Sequence, residues 1–275
     1  MTSALSLCAQ EIQKTDHDQF LCGLYASDDT RDAFYALQLF AIETTRIRDM
    51  VNEPQLGHMR IQWWRDLIDG VYADQEAHSE NGTHREFIEA IRPKKIDKAL
   101  FERYLNARSF DLEDQAHDDL PALMRYLEAT GGSIAQMKAN VLGADNLETA
   151  ARIGTAQGLC DLMKTLPYQA RTGRCKIPKS LLKKHDFTLK DFMDFKPNPA
   201  INACVKELAS EVQKLITQAR TDKAPSNAVL LSTIAMEDYL KRLNKVDYDP
   251  FNPNIGGGRL SRQLKLMFKA WRGSY

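Results

Sequence analysis

Four cations, Lys164, Arg171, Arg174 and Lys176, crowd one end of the stretch "GLCDLMKTLPYQARTGRCKIP", which carries a single acid. Cations at a helix C-terminus are favoured by its dipole and can also take a phosphate or carboxylate, arginine through a planar fork. The other reading is a solvated basic turn, and the residues alone leave both open. A metal site needs acids at helical spacing. Thr45 and Asp49 lie one turn apart on one face, as do Asp161 and Thr165, and Thr165 and Gln169 if the helix continues. Mg²⁺ wants charged oxygen ligands to offset its desolvation, so the spacing is present and most of the charge is missing. Asp49 and Asp161 are the candidate catalytic or metal-binding pair, meeting across two helices. Alternatively, Asp49 pairs with an arginine such as Arg46 or Arg60, and Asp161 stands single.

Other chemistry-bearing types are thinly spread. Tyr35, Trp63 and Tyr168 are expected in the core or on a cavity wall. The six histidines are scattered, and none pairs with a second at ligand spacing. Asp111, Asp114 and Asp118 share a helix face if a helix persists, but they precede Pro121 and read more simply as a solvated turn. "IGGGR" lacks the strand and lysine of a phosphate loop. Five widely separated cysteines argue against a disulfide framework and for reduced intracellular thiols. Lys plus Arg number 37 and Asp plus Glu number 37, so no global field favours nucleic acid. The N-terminal stretch lacks a cationic start with a long apolar run, and the expectation is a cytoplasmic protein with peripheral contact at the inner face of the membrane still open.

These residues must be positioned by helices, because apolar residues recur at helical spacing almost throughout and strand alternation is not sustained. The predicted fold is all-α. Helices are expected over "RDAFYALQLFAIETTRIRDM", over "HMRIQWWRDLIDGVY" after a break at "NEPQLG", and over about 84–92 and 96–110. In the second of these, Met59, Trp63, Leu67 and Val71 form the apolar stripe, which Trp64 and Ile68 widen. A further helix contains Gly131 and Gly132, which require close packing or a local bend. Others run over about 147–166, halted by Pro167, and over about 199–220, 225–244 and 259–271. Residues 185–200 are the candidate lobe boundary within a single domain spanning 1–275.

From Arg31 to Tyr72 and from Gly154 to Pro178 the chain resembles the squalene/phytoene synthase family, all-helical isoprenoid synthases that join two prenyl diphosphates. "YALQLFAIETTRIRDMVNEPQLGHMRIQWW" resembles the helix pair with the family's first aspartate motif, and "GTAQGLCDLMKTLPYQARTGRCKIP" its second, with the glycine–arginine turn. "ARSFDL", "LMRYLEATGGSIAQM" and "YLKRLNKVDYDPF" extend the likeness over about 28–268. The resemblance implies an isoprenoid synthase-like helical bundle. It also places the first motif's aspartates at Thr45 and Asp49, the second motif's arginine at Lys164 and its aspartates at Thr165 and Gln169, and retains Gly173 and Arg174. Of four expected carboxylates only Asp49 remains. Bridging Mg²⁺ relies on such groups to position metal and neutralise developing charge.

The pattern that replaces them, Leu166-Pro167-Tyr168 in particular, resembles the branch that includes the mitochondrial complex I assembly factor. That resemblance implies a pseudoenzyme: an accessory protein binding a partner in respiratory complex assembly or an isoprenoid-like ligand, with no resident cofactor. The alternative is a Mg²⁺-dependent prenyltransferase with an altered carboxylate site. A last expectation concerns "RLSRQLKLMFKAWRGSY", whose apolar stripe and basic flank suit either core packing or an anionic bilayer.

Overall fold

The computed structural model describes residues 5–73, 79–222 and 227–256. Among these there are helices and no strands. In chain order they are α1 (Leu7–Thr15), α2 (His17–Gly23), α3 (Asp28–Met50), α4 (Pro54–Tyr72), α5 (Gly82–Ile91), α6 (Lys98–Ser109), α7 (Leu120–Leu127), α8 (Ser133–Val141), α9 (Leu147–Lys164), α10 (Leu166–Arg171), α11 (Lys179–Lys184), α12 (Leu189–Met193), α13 (Pro199–Thr221), α14 (Asn227–Leu230) and α15 (Ser232–Lys245). The segment proposed as a C-terminal amphipathic helix lies outside the described residues.

Local chemistry sets the boundaries. Asp16 lies between α1 and α2, its backbone N–H bonding Ile12 and its carboxylate accepting from Gln19 N–H, so one residue closes one helix and opens the next. Both helices precede the first one the sequence reading delimited. Pro54 opens α4 at its first turn, making the break after α3 shorter than expected. Pro167 likewise sits in the first turn of α10 instead of ending the preceding helix, which stops at Lys164.

Two apolar clusters form the core. One gathers Phe34, Phe40, Trp64, Phe87 and Phe101 from α3 to α6 with Met137 of α8. The other gathers Leu159, Met163, Val205, Leu208 and Leu243 around α9, α13 and α15, and Phe187 and Phe192 from the segment 185–200 pack in it. Lys138 crosses the first cluster's edge at 5% exposure, its ammonium donating to Gln19 at 2.9 Å and Gln38 at 2.5 Å over the Phe34 ring. Burial pushes this amine down to about 8.

The stretch around Gly131 and Gly132 has both features their presence required. A π turn, Glu128–Gly132, joins α7 to α8. There the backbones of Gly131 and Gly154 approach so closely that a Cβ on Gly154 would lie 2.1 Å from the Gly131 carbonyl oxygen. α9 therefore packs backbone to backbone against this turn, which fixes the helix carrying the second motif.

Candidate functional site

The first-motif residues lie near the C-terminus of α3, and the second-motif residues at the α9–α10 junction. Gly173, at φ +70°, closes α10 in the left-handed conformation that glycine adopts freely. Arg174 N–H then reaches back to the Gln169 carbonyl at 2.9 Å and Gly173 N–H to that of Ala170, a glycine-terminated cap. This fold-back aims Arg174 at α3.

The structure brings Asp49 and Arg174 together, with Nη1 donating to Oδ1 at 2.6 Å. The sequence alternative named Arg46 or Arg60 for that role; the partner instead comes from 125 residues away. Arg174 Nε also lies 3.3 Å from Asp114, which Arg48 grips through Nε at 3.0 Å to both oxygens. Tyr168 sits beside the pair at 49% exposure, and desolvation followed by the Asp49 charge holds its phenol above the ordinary range. Asp161 is elsewhere engaged: Gln157 donates to it at 2.9 and 3.0 Å, and Lys164 at 2.9 Å. Asp49 and Asp161 thus have different cationic partners, Arg174 and Lys164.

The remaining cations are also engaged. Lys176 pairs with Asp111. That carboxylate is buried, accepting from Arg108 at 3.0 Å and from the Tyr126 hydroxyl at 2.8 Å. Desolvation acts to raise the Asp111 pKa, yet Arg108 and Lys176 outweigh it and hold the carboxyl below its ordinary range. The expected solvated turn at Asp111 is thus corrected: it is the centre of a buried ionic cluster that reaches Thr44 of α3 through Arg108 and Tyr104. Arg171 lies over the Phe195 ring, 5.1 Å from its centroid, and Lys164 over Tyr239 at 5.6 Å.

At the other motif positions the side chains are turned to the protein's own backbone. Thr45 Oγ1 donates to the Ala41 carbonyl, and Thr165 Oγ1 to those of Asp161 and Leu162. Buried Gln169 donates to Leu162 O at 3.2 Å and Thr165 Oγ1 at 2.9 Å and accepts from Lys176 N–H at 3.0 Å. One free-standing carboxylate set is what a bridging Mg²⁺ needs, and this donor set does not fit it. Among the described residues no group of three or more His, Cys, Asp or Glu side chains could hold a metal ion.

Of the aromatic candidates, Tyr35 is fully buried, its hydroxyl donating to Phe20 O at 2.9 Å. Trp63 is 40% exposed and Met59 63%, which corrects those two members of the predicted stripe of α4; Trp64, Leu67, Ile68 and Val71 are buried as expected, together with Gly57 and Ile61. A spacing of four starting at Met59 drifts around the helix, whereas the Trp64-centred set keeps to one side. Sequence reasoning missed Asp111, Arg108 and Tyr126 as a unit. The spacing of Arg108 and Asp111 was the one available signal.

The squalene/phytoene synthase family model matches residues 12–268. The chain is 28% identical over 275 residues to NADH dehydrogenase (ubiquinone) complex I, assembly factor 6, from Bos taurus, covering 98% of this chain and 82% of the relative. It is 22% identical over 204 residues to presqualene diphosphate synthase from Rhodopseudomonas palustris, covering 73% and 69%. Among solved structures, a dehydrosqualene synthase in complex with ligand superposes with a TM-score of 0.82 at 17% identity, covering 98% of this chain and 96% of that one. At that identity the likeness concerns the fold. Among the described residues no helix is long and apolar enough to cross a membrane.

Proposed function

The chain belongs to the squalene/phytoene synthase family, and from that premise we propose that it works as an accessory protein that binds a partner during assembly of a respiratory complex, and does not condense prenyl diphosphates. The likeness to complex I assembly factor 6 supports the class of role. The observation that carries the reading is the fate of the two motifs. Three of four expected carboxylates are Thr45, Thr165 and Gln169, and the fourth, Asp49, is bonded to Arg174. A diphosphate departs readily when metal and cations neutralise the charge developing on it. Here Lys164, Arg174 and Lys176 are paired with the protein's own acids, and Arg171 lies over the Phe195 ring.

Two measurements test this. Purified protein given farnesyl or geranylgeranyl diphosphate with Mg²⁺ should release no pyrophosphate and form no coupled product. Deleting the gene in its native host should lower the amount of assembled NADH dehydrogenase on native gels. Turnover that disappears in Asp49→Ala would sink the proposal, as would unchanged assembly in the deletion strain.

A further inference from the structure

The α3–α4 hairpin exposes an apolar stripe that the motif chemistry does not use. On α4, Leu56, Met59 and Trp63 recur at i, i+3 and i+7 and are 48%, 63% and 40% exposed. On α3 the same spacing relates Glu43, Arg46 and Met50, the last 54% exposed. The stripes are neighbours, because the Trp63 ring packs on His84 at 4.9 Å and His84 Nε2 bonds Glu43 at 2.8 Å. Arg46 is exposed on the α3 stripe and Arg60 is exposed beside Leu56 and Met59 on α4. Among the described residues neither arginine has a hydrogen-bond or ion-pair partner. Of the acids nearby, Glu43 is held by His84 and Asp49 by Arg174, which leaves exposed Glu53 at the start of α4 and exposed Asp66, bonded to the neutral Gln62 amide one turn past Trp63.

We infer that this hairpin face docks on an anionic phospholipid surface, with Met50, Leu56, Met59 and Trp63 entering the interface and Arg46 and Arg60 meeting headgroup phosphates. Exposed tryptophan beside flexible apolar side chains suits the boundary between headgroups and acyl chains. Free guanidinium groups at its edge match phosphate, whose bidentate geometry they fit. The patch is also small. A stable protein interface engages roughly 20–30 residues a side, far more than this stripe offers, whereas shallow and reversible membrane contact needs only such a group. The inference goes beyond the accessory role and would hold even for an active enzyme.

The test is flotation of the full chain with vesicles of phosphatidylcholine alone or with phosphatidylglycerol. The parent should float only with the anionic vesicles, and less as salt is raised, because surface attraction is screened. Arg46→Gln and Arg60→Gln should each lower the partition coefficient roughly fivefold. Leu56→Ser/Met59→Ser should lose flotation while melting as the parent does, both side chains being exposed in the parent. Equal flotation of this double variant and the parent would overturn the inference by moving the contact elsewhere on the chain, as would equal binding to neutral vesicles. A parent that does not float, but self-associates in a way the double variant abolishes, would assign the patch to a second copy and overturn it equally.

Discussion

The Asp49–Arg174 bond is the contact on which the functional reading turns, and a double-mutant cycle measures it. Asp49→Ala, Arg174→Ala and the double variant are compared with the parent by urea denaturation followed through helical circular dichroism. The contact is short, 2.6 Å, but the side chains are 39% and 24% exposed for Asp49 and Arg174. More than a third of the carboxylate sees water, so the scale for solvent-screened pairs, ~0.2–1 kcal/mol, applies in place of the ~3–5 kcal/mol for breaking a buried pair. Geometry favours the upper end, since Arg174 is also positioned by Asp114 and by the glycine-closed turn. The expected coupling is about 1 kcal/mol. Arg174→Ala alone should cost slightly more, about 1–2 kcal/mol, because Asp114 loses one of its two cations as well. The same melts with added Mg²⁺ provide the opposing measurement. A metal held with a Kd about one hundredfold below its concentration stabilises a protein by about 2.7 kcal/mol, more than the whole ion pair. No such gain is expected in the parent. A coupling near zero, together with a Mg²⁺ stabilisation lost in Asp49→Ala, would refute the reasoning and restore Asp49 as a ligand.

Three further outcomes are expected. For Lys138, whose folded pKa of about 8 lies below the ordinary 10.5 of an unfolded lysine, the unfolded chain holds a proton the folded one has released between those values. Stability therefore rises with pH through that window, and the parent should gain about 3 kcal/mol relative to Lys138→Met across it; a pH-independent difference in denaturation midpoints would contradict this. Buried Cys160 and Cys204, whose raised pKa values act in the opposite sense, are common to both proteins and cancel in the difference. Asp111→Asn leaves Arg108, 15% exposed, and Lys176, 31% exposed, without their shared counter-charge and should cost about 3 kcal/mol in urea denaturation, the low end for a buried pair because Lys176 sees water. Gly154→Ala sets a Cβ 2.1 Å from a carbonyl oxygen and should cost more than the ~1 kcal/mol of helix propensity it gains, whereas Gly158→Ala meets only Leu127 Cδ2 at 3.1 Å and should melt near the parent.

The all-helical fold was legible because burial imposes its period on almost every segment, as in α13, where Ile201, Val205, Leu208, Val212 and Ile216 line one face. α1 and α2 were less legible, since their ends rest on one shared aspartate instead of separate caps. Pro167 was misread because proline ends one helix and begins another with equal ease; only tertiary context separates the two. At the site, the missing carboxylates could be read directly from Thr45, Thr165 and Gln169. What the remaining charges do could not. Arg174 finds Asp49 across 125 residues and Lys176 finds Asp111 across 65, distances over which periodicity carries no information.

The paired cations also bear on what a single carboxylate placed at a motif position would meet. Restoring one motif carboxylate by a single substitution would not rebuild an ionised site. An aspartate at position 169 would be buried without the amide that now donates to Leu162 O and Thr165, and would give up part of the hold on Lys176 N–H. An aspartate at position 45 would rejoin the face of Asp49 while Arg174 still occupied that partner. Each first step back loses contacts the present structure relies on before a second carboxylate is there to share a metal. The hydrogen bonds and ion pairs at the motif positions are therefore coupled, so that a single carboxylate substitution is expected to cost stability without creating a metal site.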